Sequence, residues 1–353
     1  MLRNDLLMLG PDINGLGGIS RIAKIWRGCG LFDDYNVRYI STVTDDPVNK
    51  NIFLLKAYLN FLRCMVGGYY TVYLHTSSFN SFRRKALFLM TALCFGKRVV
   101  LHIHPSHFYE FVTSLTGWEK GLTFFLLRRL SALVVLTEEM KNNMMGLFPG
   151  KAIYVLRNPV DMGGMVDKKG CTREDNRLLY LGWYIKEKGV YELVDAIEIV
   201  LQKGTKVTLE YFGTKQIDQL RTYVKDKGLD GIISVNGWID DEGKFEKLFC
   251  ATALVLPTYS EGIPNVILEA MATHTPIIST LVGGLKEVLR DGENAIIVQP
   301  ANTIDLAEKI ERCLADKKLR ERIAMNGYEQ AKELYDAPVV KEQFRAVIGD
   351  ICC

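Results

Sequence analysis

Twelve short apolar runs alternate along this chain with longer stretches of helical spacing. That rhythm is the mark of parallel sheets joined by crossover helices. In the first half the runs are Asp5–Leu9, Val37–Ile40, Thr71–Leu74, Arg98–His102, Ala132–Leu136 and Ala152–Leu156. In the second they are Leu178–Leu181, Lys206–Tyr211, Ile232–Val235, Ala253–Leu256, Pro276–Ser279 and Ala295–Val298. Clear helices fall at Glu187–Gln202, Lys215–Lys227 and Asp241–Cys250. The charged segment Asp161–Asn176 separates the two sets and reads as a linker. At 353 residues the chain is long enough for about two α/β domains.

Composition narrows the class. Apolar residues make up 48% and charged residues 24%, as in an ordinary globular protein. The longest apolar run, Ala86–Phe95, is far short of the ~20 residues of a membrane span, and no secretory leader stands out. The eight cysteines show no metal-ligand spacing, so free thiols in a reducing cytoplasm are expected. Charge is uneven. Residues 1–160 carry 19 Lys or Arg against 10 Asp or Glu, a balance of +9; the remainder carry 25 against 31, a balance of −6. A basic half suits an anionic acceptor or an anionic membrane surface. No nucleic-acid-binding motif accompanies it.

The chemistry concentrates in PTYSEGIPNVILEAMA, Pro257–Ala272. It follows a strand, passes through Glu261-Gly262 and opens a helix at Pro264, where proline suits the first helical position. The helix-start amides of Gly262, Ile263 and Asn265, on either side of Pro264, with the helix dipole, favour negative charge. Glu269 lies further into the helix, and a carboxylate can accept from two neighbouring hydroxyls. Phosphate and sugar together describe a nucleotide-sugar.

Glu261 and Glu269, seven residues apart in EGxPxxxxEA, resemble the E-x7-E signature of retaining glycosyltransferases of family 4. The resemblance implies the GT-B architecture: two Rossmann-like domains facing across a cleft, residues 1–160 binding acceptor and 161–336 binding the nucleotide-sugar. A final helix, residues 337–353 with Ala337–Ile351 as its core, returns to the first domain. Other segments extend the likeness. Gly17 and Gly18 resemble the family's GG loop near the donor diphosphate. His104, in VVLHIHPSHF, aligns with a histidine that hydrogen-bonds the donor sugar, with Phe108 in the usual aromatic place. Gly182, Lys188 and Gly189 fit the G-R-x-x-x-x-K-G turn, whose cations neutralise diphosphate. Trp183 stands where arginine is expected; Lys186 is a candidate replacement cation, or Trp183 stacks on a ring.

The implied reaction is transfer of a hexosyl unit from a UDP- or GDP-linked donor to a hydroxyl of a glycan or lipid-linked acceptor. Glu261, His104 and Lys188 would act at the reacting centre. Glu269 would hold the ribose, and no bound metal or other cofactor is implied. The family points to bacterial polysaccharide assembly at the cytoplasmic face of the inner membrane. His102, His104 and His107 raise zinc as an alternative, although their spacing shares no helical face. Two basic, aromatic-bearing stretches, Phe82–Arg98 and Trp118–Leu130, are candidate contacts with an anionic membrane, or else helices packed on the sheet. A nucleotide-sugar 2-epimerase of the same fold, a nicotinamide oxidoreductase using the Gly15 loop, and a non-catalytic partner subunit are the rival readings.

Overall fold

The computed structural model describes residues 5–46, 48–69, 71–77, 79–165 and 175–352. The chain divides into two compact units. One is Met1–Asp161 together with Asp336–Cys353; the other is Met162–Tyr335. Of the expected linker, residues 166–174 lie outside the described residues.

The first unit is built on a six-stranded parallel sheet. Its strands are β1 (Leu6–Gly10), β2 (Arg38–Ser41), β3 (Thr71–Thr76), β4 (Arg98–Ile103), β5 (Ala132–Val135) and β6 (Ile153–Val155), in the order β2-β1-β3-β4-β5-β6. Central strands of such a sheet are covered on both faces, so β1, β3 and β5 are apolar or buried throughout rather than alternating. One face packs Met8, Tyr73, Val100 and Val134 against Trp26 of the helix Gly18–Gly28. Phe344 and Val347 of the C-terminal helix Ala337–Cys352 join that cluster. Val160 and Asp336 form a parallel bridge where the chain re-enters this unit.

The second unit repeats the plan. Its strands are β7 (Arg177–Tyr184), β8 (Thr208–Lys215), β9 (Ile233–Asn236), β10 (Ala253–Leu256), β11 (Ile277–Ser279) and β12 (Ile296–Ile297). Their order is β12-β11-β10-β7-β8-β9, all parallel. All twelve apolar runs are therefore strands, with ends moved by a few residues as boundaries do. The sheets reverse direction at different places. In the first unit the chain goes left from β1 and right from β3; in the second it goes right from β7 and left to β10. Loops leaving the carboxyl ends of the strands at such a reversal form a crevice, the common ligand site of open α/β sheets. No described helix is long and apolar enough to cross a membrane.

Two expectations need correction. The helix after β10 runs Asn265–Ala272, with Pro264 as its N-cap in extended conformation rather than its first helical residue. The cysteines are not all thiols. Cys29, Cys64, Cys94 and Cys313 are free, but Cys250 is disulfide-bonded.

Candidate active site

In the second unit the loops after β7 and β10 meet at the reversal point. The loop after β7 contains a single 3₁₀ turn, Lys186–Lys188, and ends at Gly189, whose φ of +69° opens the helix Val190–Gln202. A Cβ at Gly189 would lie 2.2 Å from the carbonyl oxygen of Pro257, so only glycine allows this approach of the two loops. Backbone bonds complete the join: Tyr259 N–H and the Thr258 hydroxyl both donate to the carbonyl of Glu187, at 2.9 and 3.2 Å. Beneath them Tyr180 and Tyr211 are fully buried. Their hydroxyls donate to the carbonyls of Trp183 and Val190, each at 2.8 Å, and so fix both ends of the loop.

That framework brings Lys188 to Glu261, and the two form a direct ion pair. Burial pushes the Glu261 carboxyl above the usual glutamate range, while the Lys188 charge and hydrogen bonds from Lys188 and Thr258 oppose the rise. Gly284 braces the other side: its N–H donates to the Glu261 carbonyl at 3.3 Å, and a Cβ there would approach the Gly262 carbonyl oxygen to 2.6 Å. Gly262, Pro264 and Asn265 are partly exposed, whereas Ile263 is buried and anchors the loop.

Glu269 is 3% exposed, four residues into its helix. Its Oε1 accepts from Lys244 Nζ at 2.7 Å. Lys244 comes from the helix Asp241–Cys250 and also meets Asp241 at 3.2 Å. The sequence carries no signal for Lys244: it lies 25 residues from Glu269 and in no recognisable motif. Trp183 is 48% exposed at the end of β7, and Lys186 is exposed beside it.

In the first unit, the loop after β1 turns at Gly15, whose N–H donates to the Asp12 carbonyl at 2.9 Å. Asp45 accepts from Leu16 N–H at 3.0 Å. Crowding falls at Gly15, where a Cβ would meet Asp45 Oδ2 at 3.0 Å. Gly17, the N-cap, and Gly18, the first helical residue, open the helix Gly18–Gly28. A Cβ on Gly17 would meet nothing nearer than Ser20 Oγ at 3.9 Å, so its backbone is open to approach.

His104 follows β4, with its N–H donating to the Thr76 carbonyl. It does not join His107 but His75, on the neighbouring strand: His75 Nδ1 and His104 Nε2 are 2.9 Å apart. His102 pairs instead with the Tyr73 hydroxyl at 3.0 Å. His75, His102 and His104 thus replace the trio His102, His104 and His107 as the histidine cluster. Burial holds all three imidazoles below their usual value, His104 to about 3. Lys85, buried nearby and hydrogen-bonded to Ser81 at 2.7 Å, is itself lowered to about 7. The rings are neutral, as metal ligands must be. But the His75–His104 contact is a hydrogen bond, shorter than the separation of two nitrogens at ~2.0–2.1 Å from one tetrahedral ion. Neutral His104 is suited to hydrogen-bonding, not to holding charge.

Residues 175–316 match the profile of glycosyl transferases group 1. That match falls within the second unit and covers most of it. Among curated relatives, the chain is 27% identical over 217 residues to the capsular polysaccharide biosynthesis glycosyltransferase CapM of Staphylococcus aureus, covering 60% of this chain and 56% of that protein. The matched stretch therefore spans about half the length of that relative. Among solved structures, the fold is similar to that of sucrose-phosphate synthase from Thermosynechococcus elongatus, with a TM-score of 0.79 at 15% identity over 98% of each chain. Anabaena HepE in complex with UDP-glucose matches with a TM-score of 0.74 at 17% identity, over 98% of this chain and 99% of that one. The architecture is GT-B-like, and the matched residues 175–316 contain both glutamates and Lys188.

Proposed function

We propose that the protein transfers a sugar from a UDP- or GDP-linked donor to a hydroxyl of a glycan or lipid-linked acceptor, with retention of anomeric configuration. The observation that carries this reading is the Lys188–Glu261 pair at the β7/β10 reversal, with the buried Glu269 in the helix that follows. In that pair the two charges neutralise one another. A donor would draw Lys188 to its diphosphate, where charge grows as the glycosidic bond breaks. Amides at Gly262 to Asn265 would share that charge. Glu261 would then face the sugar and steady positive charge at its anomeric carbon. Glu269, fixed by Lys244, would accept from the ribose hydroxyls. His104, kept neutral by burial, would hydrogen-bond a sugar hydroxyl. The acceptor proton would pass to the leaving phosphate, so no separate general base is required. HepE, of similar fold, carries UDP-glucose, which favours a donor of that chemistry. The likeness to CapM favours polysaccharide assembly.

Anionic membrane is the second partner in this reading. The helices Lys50–Val66, Phe79–Cys94 and Gly117–Arg129 pack side by side. Their sequences hold nine Lys or Arg and one acid, Glu119, which is paired with Arg83. The apolar face expected of the second helix turns inward: Phe82, Phe88 and Leu89 are buried. Exposed apolar groups remain on all three: Ile52, Leu55, Leu59 and Val66 on the first helix, Phe79 and Leu87 on the second, and Trp118 and Phe125 on the third. Basic charge beside exposed aliphatic and aromatic groups suits a bilayer interface.

The test is a thermal-shift panel of nucleotide-sugars. A ligand that binds only the folded state raises the melting temperature by an amount set by its affinity. A UDP- or GDP-sugar should raise it in a saturable way. If no member of the panel does so, the reading fails.

A further inference from the structure

The G-R-x-x-x-x-K-G pattern calls for a second cation where this chain has Trp183, and the neighbouring strand offers one. In the β7/β8 ladder, Trp183 lies opposite Thr214, and Tyr184 opposite Lys215. Lys215 is the last residue of β8, so its loop leaves the same carboxyl edge as the Lys188 loop. Its Nζ sits 5.2 Å from the centre of the Trp183 ring, within cation–π reach. Among the described residues this ammonium has no carboxylate partner. Its backbone is also unusual, with φ at +81°. A residue with a Cβ is strained in that region and persists there when its surroundings hold it, a condition that clusters at ligand sites. The helix Ile217–Asp226 starts two residues later, adding the positive end of its dipole to the same loop.

We propose that Lys215, carried on the Trp183 ring, is a diphosphate-binding residue and supplies the charge that arginine provides in the family pattern. The proposal rests on reading the second unit as a nucleotide-sugar site. It makes Trp183 a positioning residue, holding the lysine stem rather than contacting phosphate. It also accounts for a strained lysine at a strand end where glycine would be relaxed.

The experiment is calorimetric titration of the full chain with UDP and GDP, using uridine and guanosine as probes that lack phosphate. Lys188→Met calibrates the loss of a cation from the neighbouring loop. Lys215→Met should weaken the preferred nucleoside diphosphate by about tenfold, the scale of one charged hydrogen bond, and leave the nucleoside unchanged. Lys215→Arg should restore most of that affinity, and Trp183→Ala should lose part of it. Lys215→Gly relieves the positive φ, so it should melt higher than wild type while binding diphosphate weakly. A residue kept only for structure would not separate stability from affinity in that direction. If Lys188→Met weakens diphosphate and Lys215→Met does not, this proposal is overturned and the nucleotide-sugar reading survives. If wild type binds neither nucleoside diphosphate, both are overturned.

Discussion

Two glutamates in one motif occupy different environments, which suits the different work proposed for them. Glu261 is partly exposed, paired with a lysine that a phosphate could recruit. Glu269 is buried and tied to Lys244, which sits on a separate helix. Removing Glu269 outright would leave Lys244 with Asp241 alone, so Glu269→Ala should cost stability of about 1–3 kcal/mol. Glu269→Gln keeps the volume and one acceptor and is the cleaner probe. It should lower affinity for the preferred nucleotide-sugar at least ~10-fold in calorimetric titration, with a small change in melting temperature. Wild-type affinity in that variant would remove the ribose role. Both glutamates and Lys188 were legible in the sequence because their motifs are local. Lys244, His75 and Lys215 were not. Each meets its partner through strand register or helix packing across 25 or more residues, and sequence spacing does not encode such contacts.

Among elements, the strands were the most readable part of the chain. A strand covered on both faces is apolar or buried along its length, as β1, β5, β10 and β11 are, whereas the edge strands β2 and β9 and the alternating β8 are partly exposed and were read from their spacing. Loop geometry was less so, because the conformation of the Lys188 turn depends on what packs beneath it. Gly189 shows the dependence: its positive φ and its closeness to Pro257 join the loops after β7 and β10. Gly189→Ala would add both backbone strain and a clash with a carbonyl oxygen. The variant should lose about 2–4 kcal/mol in urea denaturation and bind diphosphate poorly. An alanine variant as stable as wild type would mean that the loops do not depend on this contact. The helix start at Asn265 was misplaced by one residue, since Pro264 serves equally well as a residue before the helix and as its first member.

For the whole molecule, the +9 balance of residues 1–160 was visible in the sequence, but which surface bears it was not. The structure moves the candidate membrane contact to include the helix Lys50–Val66, whose exposed Leu55 and Leu59 the sequence reading passed over. Leu55→Glu with Leu59→Glu should reduce co-sedimentation with anionic vesicles several-fold, as should neutralising Arg84, Arg128 and Arg129. Unchanged sedimentation in both variants would dispose of the membrane contact. The first unit also carries a pH liability. His75, His102 and His104 remain neutral in the fold but take up protons near pH 6.5 when unfolded. Their contribution is fully present above 6.5 and is lost as pH falls below it, at up to ~1.4 kcal/mol per pH unit for each histidine. Melting between pH 6.5 and 5 should therefore show net uptake approaching three protons from this cluster; a flat profile would mean that the imidazoles are not held neutral.

The central claim concerns where a donor sits. Crystals of the protein soaked with UDP-glucose and GDP-mannose test it most directly. The account predicts diphosphate density against Lys188 and the amides of Gly262 to Asn265, with ribose hydroxyls on Glu269. Density for the nucleotide at any other place on the chain, with Lys188 still paired to Glu261, would contradict it.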